Sequence, residues 1–218
     1  MSVLNHPKIE AFIGAPGSGK GVSVNELLKR ERPKRMLIWD PRNEYAAHAP
    51  QAASLVDMAQ KCKAAGKSGG LRMRYVPSAT MDLPTAFGVV CKLAFEWGDC
   101  MFLAEELSDV TTASHSPAPW RRVITQGRHQ GLYIVGVAQR PALIDKNFLG
   151  ACTYIRCFTL RYRNDRQAMA QALDVPEAML TELQTMETAT GVQINYVERQ
   201  FRGGEVAKKG TKTLRRRG

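Results

Sequence analysis

The sequence has few of the features that mark secreted or membrane-spanning chains. None of its apolar runs approaches the ~20 residues that a membrane-spanning helix needs, and its N-terminus lacks the apolar segment of a signal peptide. The five cysteines are odd in number and form no CxxC pair, which argues against a disulfide framework or a zinc site. The four histidines also lack metal-ligand spacing. We therefore expect a soluble cytoplasmic protein with reduced thiols and no transition metal.

Acidic residues are also in short supply. The 218-residue chain has 31 lysines and arginines against 20 aspartates and glutamates, a formal charge of +11. From Arg199 to the C-terminus there are eight basic residues and one acid, Glu205, so this segment carries +7 of the excess. Residues 201–218 are poor in apolar side chains, which predicts a flexible basic tail suited to a polyanion such as nucleic acid.

Strand-like and helix-like patterns alternate through residues 1–200. Strand composition is found in "KIEAFIG", "RMLIWD", "LRMRYVP", "DCMFLAEE", "LYIVGVAQRP", "TYIRCFTLRY" and "GVQINYVER". Helical spacing is found between them, as in "KGVSVNELLKRE" and "LPTAFGVVCKLAFEWG". This alternation predicts one α/β domain over residues 1–200, with a mainly parallel central sheet between two layers of helices.

A glycine-rich stretch follows the first predicted strand. It comprises Gly14, Ala15, Pro16, Gly17, Ser18, Gly19, Lys20, Gly21 and Val22. Glycines let backbone N–H groups curl around a phosphate, and the helix that follows turns its positive end toward the anion. Lys20 adds a charge for the β- and γ-phosphates, so the stretch predicts a nucleoside triphosphate site.

Gly21 stands where such a loop usually carries the Ser or Thr that binds Mg²⁺. Either water takes that position or Ser23 or Ser18 reaches the metal. The stretch also resembles the loop of adenylate kinases, which have Gly and then Thr after the lysine. Here Val22 replaces that Thr, and the Asp-Gly-Phe-Pro-Arg stretch and arginine-rich lid of those kinases are absent. A small-molecule phosphotransferase is therefore the alternative prediction.

Polar side chains follow two later strands and complete a site for hydrolysis. "MFLAEE" ends in Glu105 and Glu106, and "LYIVGVAQ" ends in Gln139. The carboxyl ends of parallel strands meet at the edge of the sheet where the loop lies. We therefore expect Glu105 to help hold Mg²⁺, Glu106 to orient the attacking water and Gln139 to sense the γ-phosphate.

An arginine lies between two glycines just before that last strand, in "QGRHQG". This residue, Arg128, is predicted to occupy an exposed turn. Such a position suits an arginine finger that completes the nucleotide site of a neighbouring subunit. Arg122 is the competing candidate for the same role.

Together these stretches resemble the FtsK–HerA superfamily of ring ATPases. The resemblance rests on "GAPGSGKG", "LIWDPRNEY", "MFLAEE" and "GRHQGLYIVGVAQRP", within residues 9–141. The "DPRNEY" segment, which contains Asp40 and Glu44, is similar to the Asp-Pro-x-x-Glu-Tyr stretch of HerA-like enzymes. The short chain is most similar to the genome-packaging ATPases of tectivirus-type phages. It departs from the superfamily at Gly21 and at Glu105, where Asp is usual.

The resemblance implies a RecA-like (ASCE) P-loop ATPase that uses ATP and Mg²⁺. It would thread double-stranded DNA through a homo-oligomeric ring, expected to be a hexamer, into a preformed capsid. Its partners would be capsid or portal-vertex proteins, in the host cytoplasm and at the virion packaging vertex. Residues 107–120 and the basic tail are the candidates for DNA or capsid contact. The chain also resembles Zot-type phage assembly proteins, but these carry a membrane-spanning segment, and its lack here favours packaging.

Overall fold

The computed structural model describes residues 6–215 as one sheet with helices on both faces. The strands are β1 (Lys8–Ile13), β2 (Arg35–Trp39), β3 (Leu71–Tyr75), β4 (Met101–Ala104), β5 (Tyr133–Ala138), β6 (Tyr154–Cys157), β7 (Thr185–Thr188), β8 (Gly191–Gln200) and β9 (Lys208–Arg215). The helices are α1 (Lys20–Glu31), α2 (Leu55–Ala65), α3 (Leu83–Trp97), α4 (Ala118–Gln126), α5 (Lys146–Ala151), α6 (Arg163–Leu173) and α7 (Glu177–Thr181). Within residues 6–215, none of these helices has the length and apolar character that crossing a membrane requires.

The sheet runs in the order β3-β2-β4-β5-β1-β6-β8-β7, and β9 pairs with β8. Strands β1 to β6 are parallel, and β7, β8 and β9 are antiparallel additions at one end. The predicted α/β fold with a mainly parallel sheet is therefore confirmed. Because β1 lies between β5 and β6, the ends of both neighbours flank the glycine-rich loop. Ligand sites of open α/β sheets form at this edge.

Two hydrophobic clusters hold the helices against the two faces of the sheet. In the larger cluster, the Phe87 ring lies 5.4 Å from Trp39 and 5.3 Å from Trp120, between ring centroids. Trp120 in turn lies 5.5 Å from Phe148 of α5. Aromatic pairs at these separations contribute about 0.5–1.5 kcal/mol beyond the burial of their area. This chain of rings fixes α3, α4 and α5 on one face.

Helix α1 occupies the other face and has the predicted bounds. Val24, Leu27 and Leu28 are spaced three and four residues apart and are all buried. Lys29 and Arg30 lie in the last turn, where positive charge favours the negative end of the helix. The buried stripe therefore anchors α1 so that its N-terminus begins at the glycine-rich loop.

The predicted flexible tail is wrong for Lys208–Arg215. These residues form β9, which pairs with β8 over eight residue pairs. The composition argument failed because the segment cannot bury a core alone but needs only to extend an existing sheet. The domain boundary predicted at residue 200 thus falls between two paired strands. The remainder of the predicted tail, Arg216 to Gly218, lies outside the described residues.

Gly210 is a point where β9 depends on the absence of a side chain. A Cβ at this position would lie 2.3 Å from the Tyr196 ring. We expect Gly210→Ala to displace that ring and lower the free energy of unfolding by about 1–3 kcal/mol, measured in urea. Gly150→Ala in α5 is the control, because an added Cβ meets nothing within 4 Å.

Trypsin gives a second measurement of the same prediction. The lysines of β9 should resist cleavage in the wild-type chain and in Gly150→Ala, and should be cut faster in Gly210→Ala. Equal cleavage of all three proteins in residues 208–215 would contradict the strand.

Candidate nucleotide-binding site

The loop after β1 is curled by two glycines with left-handed backbone. Gly17 has a φ of +75° and Gly19 a φ of +101°, where L side chains are strained. The backbone N–H of Ala15 donates to the carbonyl of Thr159 at 2.9 Å. The loop is therefore tied to the segment that follows β6, and its curled shape is that of a phosphate cradle.

Lys20, the first residue of α1, is buried inside this loop. Its Nζ donates to the carbonyl oxygen of Ala15 at 3.2 Å. Burial lowers the pKa of Lys20, and the nearby Glu105 and Glu106 oppose this shift by favouring the charged ammonium. The lysine and both predicted carboxylates are thus neighbours in the folded chain.

Glu105 follows β4 and is buried, with only 3% of its surface exposed. The Tyr45 hydroxyl donates to its Oε2 at 2.7 Å. Burial raises the pKa of Glu105 to about 7, and the hydrogen bond from Tyr45 partly offsets the shift. Burial outweighs the opposing effect of the Lys20 charge and penalises the ionised form of Glu105, so an approaching cation would favour loss of the proton.

Glu106 has a left-handed backbone, with a φ of +48° that is uncommon outside glycine. This turn brings two successive carboxylates to the same lysine. Its Oε1 accepts hydrogen bonds from the Ser108 hydroxyl and, at 3.3 Å, from the backbone N–H of Gln139. Its Oε2 is buried and has no hydrogen-bond partner among the described residues. Such an oxygen is costly to bury and is available to a water or a cation.

Gln139 follows β5, the strand between β1 and β4. Its backbone N–H fixes Glu106, and the residue lines a cleft of about 260 Å³ together with Ala15 and Pro16 of the loop. The structure therefore brings together Lys20, both carboxylates and Gln139 at one edge of the sheet.

Ser23 does not join this group. Its Oγ accepts a hydrogen bond from Arg156 at 3.4 Å and faces a separate cleft that Glu198 also lines. Residues two apart on a helix point to different sides, so Ser23 cannot replace a hydroxyl missing at Gly21. The structure therefore argues against Ser23 as a metal ligand. The Ser18 Oγ, by contrast, is buried in the loop without a partner among the described residues.

The residues present fit Mg²⁺ only together with a triphosphate. Within the described chain, no group of three or more His, Cys, Asp or Glu could hold a metal. Mg²⁺ usually takes one or two carboxylates and completes its shell with waters and phosphate oxygens. Glu105 suits that mode. A Cβ at Gly21 would meet nothing within 4 Å, so there is room for a water.

Tyr45 is a site residue that the sequence analysis missed. The Asp40 carboxylate accepts from the backbone N–H groups of Glu44 at 2.8 Å and Tyr45 at 3.1 Å, and from the Arg74 guanidinium at 3.1 Å. This network fixes the segment after β2 so that the Tyr45 hydroxyl reaches Glu105. The signal was present, because Tyr45 is the last residue of "DPRNEY".

Arg128 lies at the amino ends of the parallel strands, opposite the end where the glycine-rich loop lies. It belongs to a 3₁₀ turn, Gly127–Gln130, that precedes β5, whereas the loop follows β1. Because β1 and β5 are parallel and in register, the turn that contains Arg128 and the glycine-rich loop are separated by a strand length of roughly 17 Å. Arg128 therefore does not reach its own loop. Arg122 is also exposed, and its guanidinium lies 4.2 Å from the Phe95 ring centroid.

The solved structures that this chain resembles include viral packaging NTPases. B204, the genome packaging NTPase from Sulfolobus turreted icosahedral virus 2, in complex with AMPPCP, has a TM-score of 0.70 and 16% identity over 95% of this chain and 98% of that chain. B204, the DNA-packaging ATPase from Sulfolobus turreted icosahedral virus, has a TM-score of 0.64 and 14% identity over 97% and 100%. The N-terminal domain of zonular occludens toxin from Neisseria meningitidis has a TM-score of 0.51 and 15% identity over 96% and 95%.

Neither protein-family models nor curated protein sequences give a match. At identities of this size, a structural likeness establishes the fold and not the activity. The parallel sheet, the loop after β1 and the structures that it resembles agree on that fold. The chain has the α/β fold of the P-loop ATPases, and its glycine-rich loop occupies residues 14–21.

Proposed function

We propose that the chain is an ATP-hydrolysing translocase of double-stranded DNA that packages a viral genome into a preformed capsid. The observation that carries the proposal is the convergence of Lys20, Glu105, Glu106 and Gln139 on one glycine-rich loop. The fold shared with B204, whose solved structures hold ATP analogues, supports the same reading. A phage or another virus with a related capsid is the expected source of such a chain.

In the proposed hydrolysis each group has one role. The loop amides and Lys20 bind the triphosphate, and the unpartnered Oε2 of Glu106 orients a water toward the γ-phosphate. Gln139 senses the γ-phosphate, and its N–H bond to Glu106 links the sensor to the base. Mg²⁺, held by Glu105 and water, would neutralise charge on the phosphate oxygens.

Residues 107–120 connect this chemistry to a partner. They follow Glu106 directly, and Thr111 anchors the segment by donating to the Leu107 carbonyl at 2.9 Å. The backbone N–H of Asp145 donates to Thr111 in turn, at 3.3 Å. The tip at residues 112–115 is largely exposed. We assign DNA or capsid contact to this tip, because only a few residues separate it from Glu106. A displacement of Glu106 during hydrolysis would therefore be transmitted to the tip.

The basic tail has a narrower role than its composition suggests. Lys208 pairs with Glu205, Lys209 pairs with Glu182 and Lys212 pairs with Glu26. Exposed pairs of this kind are worth little energy, so DNA phosphates could still compete for the lysines. The tail therefore contributes charge to DNA binding from the outer edge of the sheet rather than as a free arm.

The position of Arg128 supports a homo-oligomeric ring, most simply a hexamer. The arginine is exposed and lies a strand length from its own loop, so as an arginine finger it would complete the site of a neighbour. We place the ring in the host cytoplasm and at the packaging vertex of the virion, against capsid or portal proteins.

A second candidate is a Zot-like ATPase of phage assembly or extrusion, which the likeness to the zonular occludens toxin domain favours. Only the sequence of the loop supports an adenylate-kinase-like phosphotransferase. The buried Glu106 Oε2 suits activation of water better than binding of a second nucleotide.

Double-stranded DNA should raise ATP turnover, and the stimulation should fall steeply as salt increases, because DNA binding releases condensed counterions. Phosphate release measured with and without DNA over a salt series checks this. The translocase proposal fails if DNA leaves turnover unchanged while AMP accelerates ADP formation.

Mixing two inactive variants should restore activity. Glu106→Gln binds ATP but lacks the base, and Arg128→Ala keeps the base but lacks the finger, so each alone should lose at least about 100-fold in turnover. In a mixed ring, Glu106→Gln subunits supply Arg128 to intact neighbouring sites. Arg122→Ala is the matched control and should retain turnover. A mixture as inactive as its parts would exclude Arg128 as the finger.

Restoring the loop hydroxyl should strengthen metal binding. Gly21→Ser has room for its side chain and would replace a metal-bound water, so hydrolysis should need less Mg²⁺ for half-maximal rate. Gly21→Ala adds the Cβ without the hydroxyl and should leave the Mg²⁺ requirement unchanged. If both variants lower the Mg²⁺ requirement equally, the cause is the replacement of a glycine in α1 and not metal binding by the hydroxyl.

A further inference from the structure

A cleft beside the phosphate loop has one wall that the proposed mechanism does not use. Ala15 and Pro16 of the loop form one side of this cleft, and Arg161 and Tyr162, which follow β6, form the other. The hydrogen bond from Ala15 to Thr159 ties the two sides together. A ligand whose phosphates occupy the loop therefore has Tyr162 within the same cleft.

Tyr162 is unusually exposed for a large aromatic side chain. It has 53% of its surface accessible, while Phe158, four residues earlier, is 1% exposed. The guanidinium of Arg140 lies 4.1 Å from the centroid of the Tyr162 ring. One part of the ring is thus backed by a cation, and the rest is open to the cleft and solvent.

Arg140 is itself held in place by a buried carboxylate. Its Nε donates to Oδ2 of Asp165 at 2.8 Å, and Asp165 is 1% exposed. The other oxygen, Oδ1, accepts from the backbone N–H of Ala142 at 3.0 Å. A buried carboxylate thus fixes the arginine, and the arginine backs the tyrosine. The ring is preorganised at little entropic cost on binding.

We propose that Tyr162 is the stacking platform for the nucleobase of the bound nucleoside triphosphate. This inference rests on the proposed nucleotide-binding function. A flat ring next to a phosphate site suits a base, because every base has a π-face. The face of the ring carries no group that reads the edge of a base. The platform therefore accepts nucleoside triphosphates as a class, with ATP and GTP served alike.

The test compares nucleotides with a ligand that has phosphates but no base. Full-length wild type, Tyr162→Ala and Tyr162→Phe are titrated with ATP, GTP and inorganic tripolyphosphate, in competition with 2-aminopurine riboside triphosphate, whose fluorescence reports stacking. Leu143→Ala is the matched control, because Leu143 is 46% exposed on the adjacent turn, Pro141–Leu143, and does not line the cleft.

Tyr162→Ala should weaken ATP and GTP binding by about tenfold each and leave tripolyphosphate binding unchanged, as expected for one lost base–aromatic stack. Tyr162→Phe and Leu143→Ala should bind like the wild type. In turnover, Tyr162→Ala should raise KM and keep kcat, because stacking is equal in the ground and transition states.

Two results would overturn the inference alone: unchanged nucleotide affinity in Tyr162→Ala, or equal losses for ATP and tripolyphosphate. A wild-type chain that binds neither ATP nor tripolyphosphate would overturn the proposed function, and the stacking role with it.

Discussion

Two adjacent carboxylates buried beside one lysine are the constraint on which the site depends. Water is excluded from Glu105 and Glu106, so their charge must be met by Lys20, by hydrogen bonds, or by the ligand. The chain supplies only part of this. Tyr45 holds Glu105, while Glu106 keeps one oxygen without a partner. One carboxylate oxygen of the pair is therefore left unsatisfied by the described residues.

The surrounding elements can be understood as support for that pair. Asp40 and Arg74 fix the segment that presents Tyr45, and Gln139 fixes Glu106 from the neighbouring strand. On the far side of the loop, a Cβ on Gly19 would lie 2.8 Å from Ile194 of β8. The glycine-rich loop is thus enclosed between β5 and the antiparallel end of the sheet.

Sequence alone predicted the elements whose signals are local. The bounds of α1 follow from its apolar stripe and the preceding glycines. The ends of β4 and β5 follow from apolar runs that stop just before the polar residues Glu105 and Gln139. Contacts between distant segments were not predictable in this way. The hydrogen bond from Tyr45 to Glu105 joins residues 60 positions apart.

Two sequence predictions failed for identifiable reasons. Ser23 is close to Gly21 along the chain, but helix geometry turns its side chain toward Arg156. The composition of the tail describes only the tail itself, whereas β9 is stabilised by its pairing with β8. Helix α5 was not predicted, because its six residues are too few to show a period, although Phe148 is fully buried.

The pairing of β9 also changes what a deletion of the tail would mean. Removing residues 203–218 takes away a strand as well as charges, and it leaves the outer backbone N–H and C=O groups of β8 unpaired. An exposed strand edge is a template for pairing with another chain. Lost solubility or altered assembly after such a deletion would report on that edge. Replacing the lysines of β9 by glutamine separates the two effects, because it removes the charge and retains the strand.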